Sequence, residues 1–266
     1  MDPQLSAALV AALASLAVAI LAWLSGRRQA QESNEVQQEL VRKQADLTRE
    51  LEDYKGELAR QVRVEERALT AKAELDRVRE PLLLAAVDLA HRIDNIRNNS
   101  FLAYLPSSEP SRRDVAVRGT LYRFARYWCV VESLYDRADL GKLLTDTDTQ
   151  PVAATLRDIG RTFASDRYDS AKLMVWREEQ RAIAELMRGT DGDAGYIGFA
   201  TFFDRYEQTF ATWFEFISRD LPTAATSERL RLVQRQLGEL VAQLAPVGQE
   251  FYIEQVKKIE QGAKAP

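Results

Sequence analysis

Leu5 to Leu24 is a run of twenty residues without a charge, interrupted only by Ser6 and Ser15. No other feature of this chain restricts its fold as strongly. At about 1.5 Å per helical residue, the run spans about 30 Å, the thickness of a bilayer's hydrocarbon core. Both serines can return their hydroxyl to a carbonyl one turn back, so neither opposes insertion. Trp23 stands where an interfacial aromatic belongs, and Arg27-Arg28 follow, whereas Met1-Asp2-Pro3-Gln4 carries no Lys or Arg. The expectation is a single-pass membrane anchor, residues 1–28 with their basic flank, with the remainder of the chain on the cytoplasmic side. A cleaved signal peptide is the rival reading; it wants a basic N-terminus and a shorter apolar core. Ala12-Leu13-Ala14 has the look of a cleavage site but lies in the middle of the run. Ala7, Ala11, Ser15 and Ala19 recur every four residues, a pattern that lets membrane helices approach closely.

From Glu32 to Glu80 nearly every second residue is charged, and no proline intervenes before Pro81. Leu40, Leu47, Tyr54, Gln61, Ala68 and Leu75 repeat every seven residues, and five of these six suit a buried seam. The complementary positions Lys43, Glu50, Glu57, Val64, Ala71 and Val78 suit it poorly. Leu51 and Leu58 lie one position further along, so the stripe drifts as on a straight 3.6-residue helix. Glu39 and Lys43 fall one turn apart and support the helix locally. Residues 29–80 therefore predict a coiled-coil-like helical stalk, about 70 Å long if continuous, which spaces the rest of the chain or pairs two chains as a homodimer.

Residues 81–266 predict an all-α bundle of five or six helices. Helix formers dominate and alternating strand patterns are missing. Pro81 falls where a helix restarts or kinks, and Leu82, Leu83, Ala86, Leu89, Ile93 and Ile96 then keep helical spacing. Pro106 to Pro110 makes a break. A second helix over 112–139 carries Val117, Leu121, Phe124, Trp128, Val131 and Tyr135, and residues 140–150 read as a loop. Pro151 opens a third helix, 174–188 is a fourth, and Phe199, Phe203, Tyr206, Phe210, Trp213 and Ile217 mark an aromatic fifth. A sixth runs from Ser227 to about Lys258, bent at Pro246. The aromatic stripe reads as core, since Phe and Trp dominate buried area.

Several chemistries are excluded by inventory. A net charge of -4 and a pI near 5.4 argue against nucleic-acid binding, which needs an excess of Lys and Arg on one face. One cysteine, Cys129 in Tyr-Trp-Cys-Val-Val, leaves no zinc set and no internal disulfide, and its surroundings predict a buried small hydrophobe. His91, with Asp88 three residues before it, is the only histidine, so a helical di-metal centre lacks its second Glu/Asp-x-x-His pair. Gly192, Gly195 and Gly198 lack the spacing, preceding strand and Lys of a phosphate loop and read as a loop and helix cap. Asp146 and Asp148 lack the central Gly and terminal Glu of a calcium loop. Asn98-Asn99-Ser100 matches a glycosylation acceptor, which a cytoplasmic domain never presents to that machinery. No catalytic residue, metal or cofactor is predicted.

What remains is arginine on otherwise apolar helices: Arg118, Arg123 and Arg126 on the second, and Arg177, Glu179, Gln180, Arg181 and Glu185 on the fourth. A half-buried arginine needs a partner, and its planar fork favours carboxylates. One reading is an internal Arg–Glu network; the other is a pocket for an anionic ligand or an acidic segment of a partner.

Two stretches carry a resemblance. Arg79-Glu80-Pro81-Leu82-Leu83, continuing through Asp88-Leu89 and Asn95-Ile96, resembles the opening of a group of uncharacterised bacterial helical proteins. Arg177-Glu178-Glu179-Gln180-Arg181-Ala182-Ile183-Ala184-Glu185 is similar to that group's second signature, with Glu178 and Ala184 in place of its glycines. The resemblance covers about residues 79–220 and implies a helical domain with no assigned activity. The functional expectation is a membrane-tethered, non-enzymatic interaction or scaffold module; the alternative is a ligand-sensing or enzymatic bundle that binds an anionic small molecule.

Overall fold

In a computed structural model the structure describes residues 3–137, 149–189, 195–246 and 248–264; of residues 3–36 it describes the side chains of Leu16, Val18, Leu21, Ala22, Trp23, Gly26 and Arg27. The described residues are all helix and connection, with one isolated β-bridge between Arg188 and Tyr196. The helices are α1 (Pro3–Asn98), α2 (Phe101–Ser107), α3 (Pro110–Arg137), α4 (Gln150–Ala164), α5 (Arg177–Leu186), α6 (Phe199–Arg205), α7 (Ala211–Asp220), α8 (Glu228–Leu244) and α9 (Glu250–Lys264). The expected loop over 140–150 and the aspartates 146 and 148 fall almost wholly outside the described residues, as does Gly192. Among the described residues no helix is long and apolar enough to cross a membrane. Most side chains of residues 5–24, on which the anchor expectation rests, lie outside that set.

The chain divides into two compact units, residues 1–64 and 65–266. In the first, residues 37–64 are exposed helix throughout. The second begins well before Pro81, because the apolar stripe does not stop there. Ala71, Leu75 and Val78 are buried with Leu82, Leu89, Ile93 and Ile96, one continuous series at spacings of three, four and seven. Pro81 therefore neither restarts nor ends the helix; α1 runs through it and loses one backbone donor, which burial of the stripe on both sides outweighs.

The expected fifth helix is interrupted by a π turn, Tyr206–Phe210, between α6 and α7. The extra residue in that turn rotates the buried face. Phe202, Tyr206, Phe210, Phe214 and Ile217 point inward, while Phe203 is only half-buried and Trp213 is exposed. Phe202, Phe210 and Phe214 interlock with Trp128 and Phe163 at centroid distances of 4.5–6.3 Å, in tilted, edge-to-face and, for Trp128 with Phe214, stacked geometries. The expected bend at Pro246 is a full break: α8 ends at Leu244 and α9 packs back on it. Gly262 of α9 lies so close to α1 that a Cβ there would collide with Asp94 and Gln234, and its carbonyl accepts from Arg97 at 3.1 Å and Asn98 at 2.9 Å.

The fourth helix starts three residues later than its periodicity predicts because the chain before it is left-handed. Asp169, Ser170, Ala171 and Leu173 all have positive φ, between 53° and 65°, a region that disfavours side chains bearing Cβ. Two anchors hold this turn. Leu173 N donates to the buried Asp220 at 2.9 Å. Asp169 accepts from Ser227 Oγ at 2.6 Å, Glu228 N at 2.9 Å and Arg229 N at 3.0 Å, so it caps α8 alongside Ser227 itself. In return Arg229, fully buried, donates to the carbonyls of Thr162, Phe163, Tyr168 and Lys172 at 2.5–3.2 Å.

Replacing Arg229 by Met takes the donor from the carbonyls of Thr162 and Lys172, whereas Phe163 O and Tyr168 O keep the backbone donors Val175 N and Ala171 N; each buried unsatisfied group costs about 1–3 kcal/mol. We expect Arg229→Met to destabilise the bundle by about 3 kcal/mol or more in urea unfolding; a loss below about 1 kcal/mol would mean that water reaches the carbonyls.

Candidate functional site

Helical spacing brings charged residues of three helices to one cleft. On α3, Glu132, Tyr135 and Asp136 share a face; on α4, Arg157 and Arg161 do; on α5, Arg177, Arg181 and Glu185 do, with Arg188 just beyond its end. Together they line a cavity of about 650 Å³. Five guanidiniums face three carboxylates there, an excess of two positive charges.

The pairing inside the cleft is loose. Glu132, nearly buried, lies between Arg177 Nη2 at 3.5 Å and Arg181 Nε at 3.7 Å, both at or beyond the length of a good hydrogen bond. Burial raises its carboxyl above the usual range, and the two arginines only partly oppose this. Burial likewise pushes the Tyr135 hydroxyl up to about 12. Arg188 pairs with Asp136. Arg157 and Arg161 reach only Asp158 of their own helix, at 3.6 and 3.8 Å, and Arg157 Nε is buried without a hydrogen-bond partner. Arg181 and Glu185 lie one turn apart but do not pair, because Arg181 turns to Glu132 instead; Glu185 has no ion pair among the described residues.

Gln180 lies beneath the cleft, fully buried. Its amide donates to the carbonyls of Val175 at 2.8 Å and Gly160 at 3.2 Å, and its oxygen accepts from Arg177 Nη1 at 2.9 Å. It thereby ties α5 to α4 and orients Arg177. Gly160 permits this: a Cβ there would occupy the place of the Arg177 guanidinium. Glu179 takes no part in the cleft; its carboxylate accepts from Trp176 N at 2.7 Å and caps α5.

The three arginines of α3 lie elsewhere. Arg118 donates to Glu207 at 2.5 Å and to the carbonyl of Phe203 at 3.1 Å, and stacks on Phe203 and Tyr206; it braces the π turn. Arg126 pairs with Asp88 at 2.7 Å and lies over Tyr196. Arg123 donates to Gly119 O at 2.8 Å and faces a separate recess. Of the eight residues singled out in the sequence, the cleft unites Arg177, Arg181 and Glu185, with Gln180 as support. Glu132, Asp136, Arg157, Arg161 and Arg188 were the missing members. Their signals were a lone carboxylate after Cys129-Val130-Val131 and an arginine pair one turn apart.

Cys129 is buried as expected, and burial pushes its thiol up to about 11. His91 Nε2 is buried with no hydrogen-bond partner, whereas its one-turn neighbour Asp88 serves Arg126. No metal-binding cluster occurs among the described residues. Gly198 caps α6, and Gly195 has φ of 70°. The chain matches no protein-family model, no curated protein and no solved structure.

The raised Glu132 carboxyl sets a pH dependence. A carboxyl raised in the folded state contributes stability below its unfolded value that is lost as pH rises through the folded value. Glu132→Gln should therefore raise the melting temperature at pH 7 and change it little at pH 4. The opposite ordering would mean that the Arg177 and Arg181 contacts outweigh burial.

Proposed function

We propose that this chain is a membrane-tethered helical interaction module, non-enzymatic, whose bundle binds a small molecule bearing more than one oxyanion. The observation that carries this reading is the excess of guanidinium over carboxylate in the α3–α4–α5 cleft, with Arg157 and Arg161 lacking a carboxylate at hydrogen-bond distance. Planar guanidiniums suit phosphate and carboxylate oxygens in paired geometry, and the cavity falls within the size range of ligand sites. Glu132, between Arg177 and Arg181, is the internal stand-in that such a ligand would displace.

The tether rests on the uncharged run 5–24 and its basic flank. Pairing of two chains rests on Leu40, Leu47, Leu51, Tyr54, Leu58 and Val62, all exposed on the helix. Leu40 and Leu51, Leu47 and Leu58, and Leu51 and Val62 are each eleven residues apart, a repeat that keeps one apolar stripe on a nearly straight helix.

Titration calorimetry of the full chain with tripolyphosphate tests the ligand reading. Binding should weaken as salt rises and fall at least about tenfold, 1.4 kcal/mol, in Arg157→Ala/Arg181→Ala. No binding at low salt, or equal binding by the double variant, would overturn it. Deleting residues 5–24 should move the chain from the membrane to the soluble fraction, still as a dimer in sedimentation; retention at the membrane would sink the tether and a monomer would sink the pairing.

A further inference from the structure

A second recess, of about 380 Å³, lies between α1 and α3 beside the start of α6. Arg92 of α1 and Arg123 of α3 both line it. Neither forms an ion pair among the described residues. Arg92 has its Nε buried without a hydrogen-bond partner, and its guanidinium rests on the Phe101 ring at 4.5 Å. Arg123 spends one nitrogen on the carbonyl of Gly119, one turn back in its own helix. The one carboxylate at the recess, Asp88, is held by Arg126 at 2.7 Å. Burial, and then the charge of Arg123, push the Arg92 guanidinium down to about 10.

Arg92 and Arg123 line one recess with Asp88 as its single carboxylate, which only partly offsets the burial and mutual repulsion of the two guanidiniums. Other arginines here have stronger partners: Arg229 has four carbonyls, Arg118 a carboxylate, a carbonyl and two aromatic faces, and Arg126, although its Nε is also unpartnered, a carboxylate at 2.7 Å. The other side of the recess is lined by Val115, Ala116 and the rings of Tyr122 and Phe199. Tyr122 and Phe199 meet edge to face at 5.5 Å, and the Tyr122 hydroxyl is already engaged with Ile197 O at 3.2 Å, so the ring presents carbon to the recess.

We propose that this recess is a binding site for a small aryl oxyanion, an aromatic carboxylate or aryl phosphate, whose anion bridges Arg92 and Arg123 and whose ring packs on Tyr122 and Phe199. The site is independent of the α3–α4–α5 cleft. Gly119 offers a way to block it without disturbing the fold, because a Cβ there meets Arg123 and Phe199 only at ordinary contact distances of 3.7–3.9 Å.

The test is binding of phenyl phosphate and of inorganic phosphate to the full chain, followed by calorimetry and by thermal shift. Phenyl phosphate should bind at least tenfold tighter than inorganic phosphate. Arg92→Met should abolish that binding while leaving the melting temperature of the unliganded chain equal or higher. Gly119→Ala should stay folded and weaken binding severalfold, and Arg157→Ala/Arg181→Ala should bind as the parent does. Equal affinity for the two phosphates, retention of binding in Arg92→Met, or loss of binding in the cleft variant would overturn the proposal. So would a fall of several degrees in the melting temperature of Arg92→Met, which would make Arg92 a structural residue. A failure of tripolyphosphate to bind the cleft leaves these outcomes unaffected.

Discussion

Arg229 and Asp169 exchange caps, and the arrangement of the bundle around the cleft depends on that exchange. Asp169 closes the N-terminus of α8, and Arg229, one residue inside that helix, closes the C-terminal carbonyls of α4 and the turn that carries Asp169. Each contact presupposes the other. A left-handed turn at four residues with side chains costs conformational energy that local sequence does not repay; it persists because carbonyls it would otherwise leave buried point at one guanidinium. The turn also fixes where α5 begins. With Val175 N bonded back to Phe163 O at 3.0 Å, the first residue of α5 sits beside the last turns of α4, and Arg177 lands over Gly160. The position of the cleft is thus a consequence of a buried arginine that never touches it.

The arginines of this domain sort by what each has left over. Arg229 has four of its five N–H donors on carbonyls, which makes it a fastener. Arg118 combines one carboxylate with two aromatic faces and Arg126 one carboxylate with one, which gives a half-buried cation both charge and packing. Arg157, Arg161, Arg92 and Arg123 have no carboxylate at hydrogen-bond distance among the described residues. Residue type alone does not separate these groups; the acceptor inventory does. Arg229, the most deeply buried of them, is the least available to a ligand, whereas half-buried arginines with surplus donors are where a domain gives up stability for binding.

Helical periodicity carried much of the architecture: residues 82–96, α3 and α4 lie close to where apolar spacing puts them, whereas the buried stripe already begins at Ala71 and the bend expected at Pro246 is a full break. It failed where one residue changes the phase or where the backbone leaves the helix. Pro81 looks like a boundary in sequence, yet the buried stripe on either side overrides one lost hydrogen bond. The π turn at Tyr206–Phe210 exchanges Phe203 and Trp213 for Phe202 and Phe214, and a fixed 3.6-residue period has no term for such an insertion. The left-handed residues 169–173 include no glycine to announce them; their conformation is imposed from α8 and Asp220, far away in sequence. For the site, spacing tells which residues of one helix share a face, so Arg177, Arg181 and Glu185 fall together correctly. It does not tell which helices meet. Arg157 and Arg161 stayed hidden for that reason, and Arg123 and Arg126 were grouped with a cleft they do not reach.

The two arginine recesses solve the same electrostatic problem differently, and the difference bears on what each can recognise. In the α3–α4–α5 cleft, three carboxylates already neutralise part of the charge, so a ligand gains only by replacing contacts such as Glu132 with shorter ones. Specificity there follows from the number and reach of the ligand's oxyanions, since a single charge offers little that Glu132 does not. Between α1 and α3 no carboxylate among the described residues forms an ion pair with Arg92 or Arg123; Asp88 lies at the recess but pairs with Arg126. A single oxyanion suffices to relieve the repulsion, and the remaining discrimination passes to the rings of Tyr122 and Phe199. One bundle thereby holds a site that counts charges and a site that reads the shape attached to one.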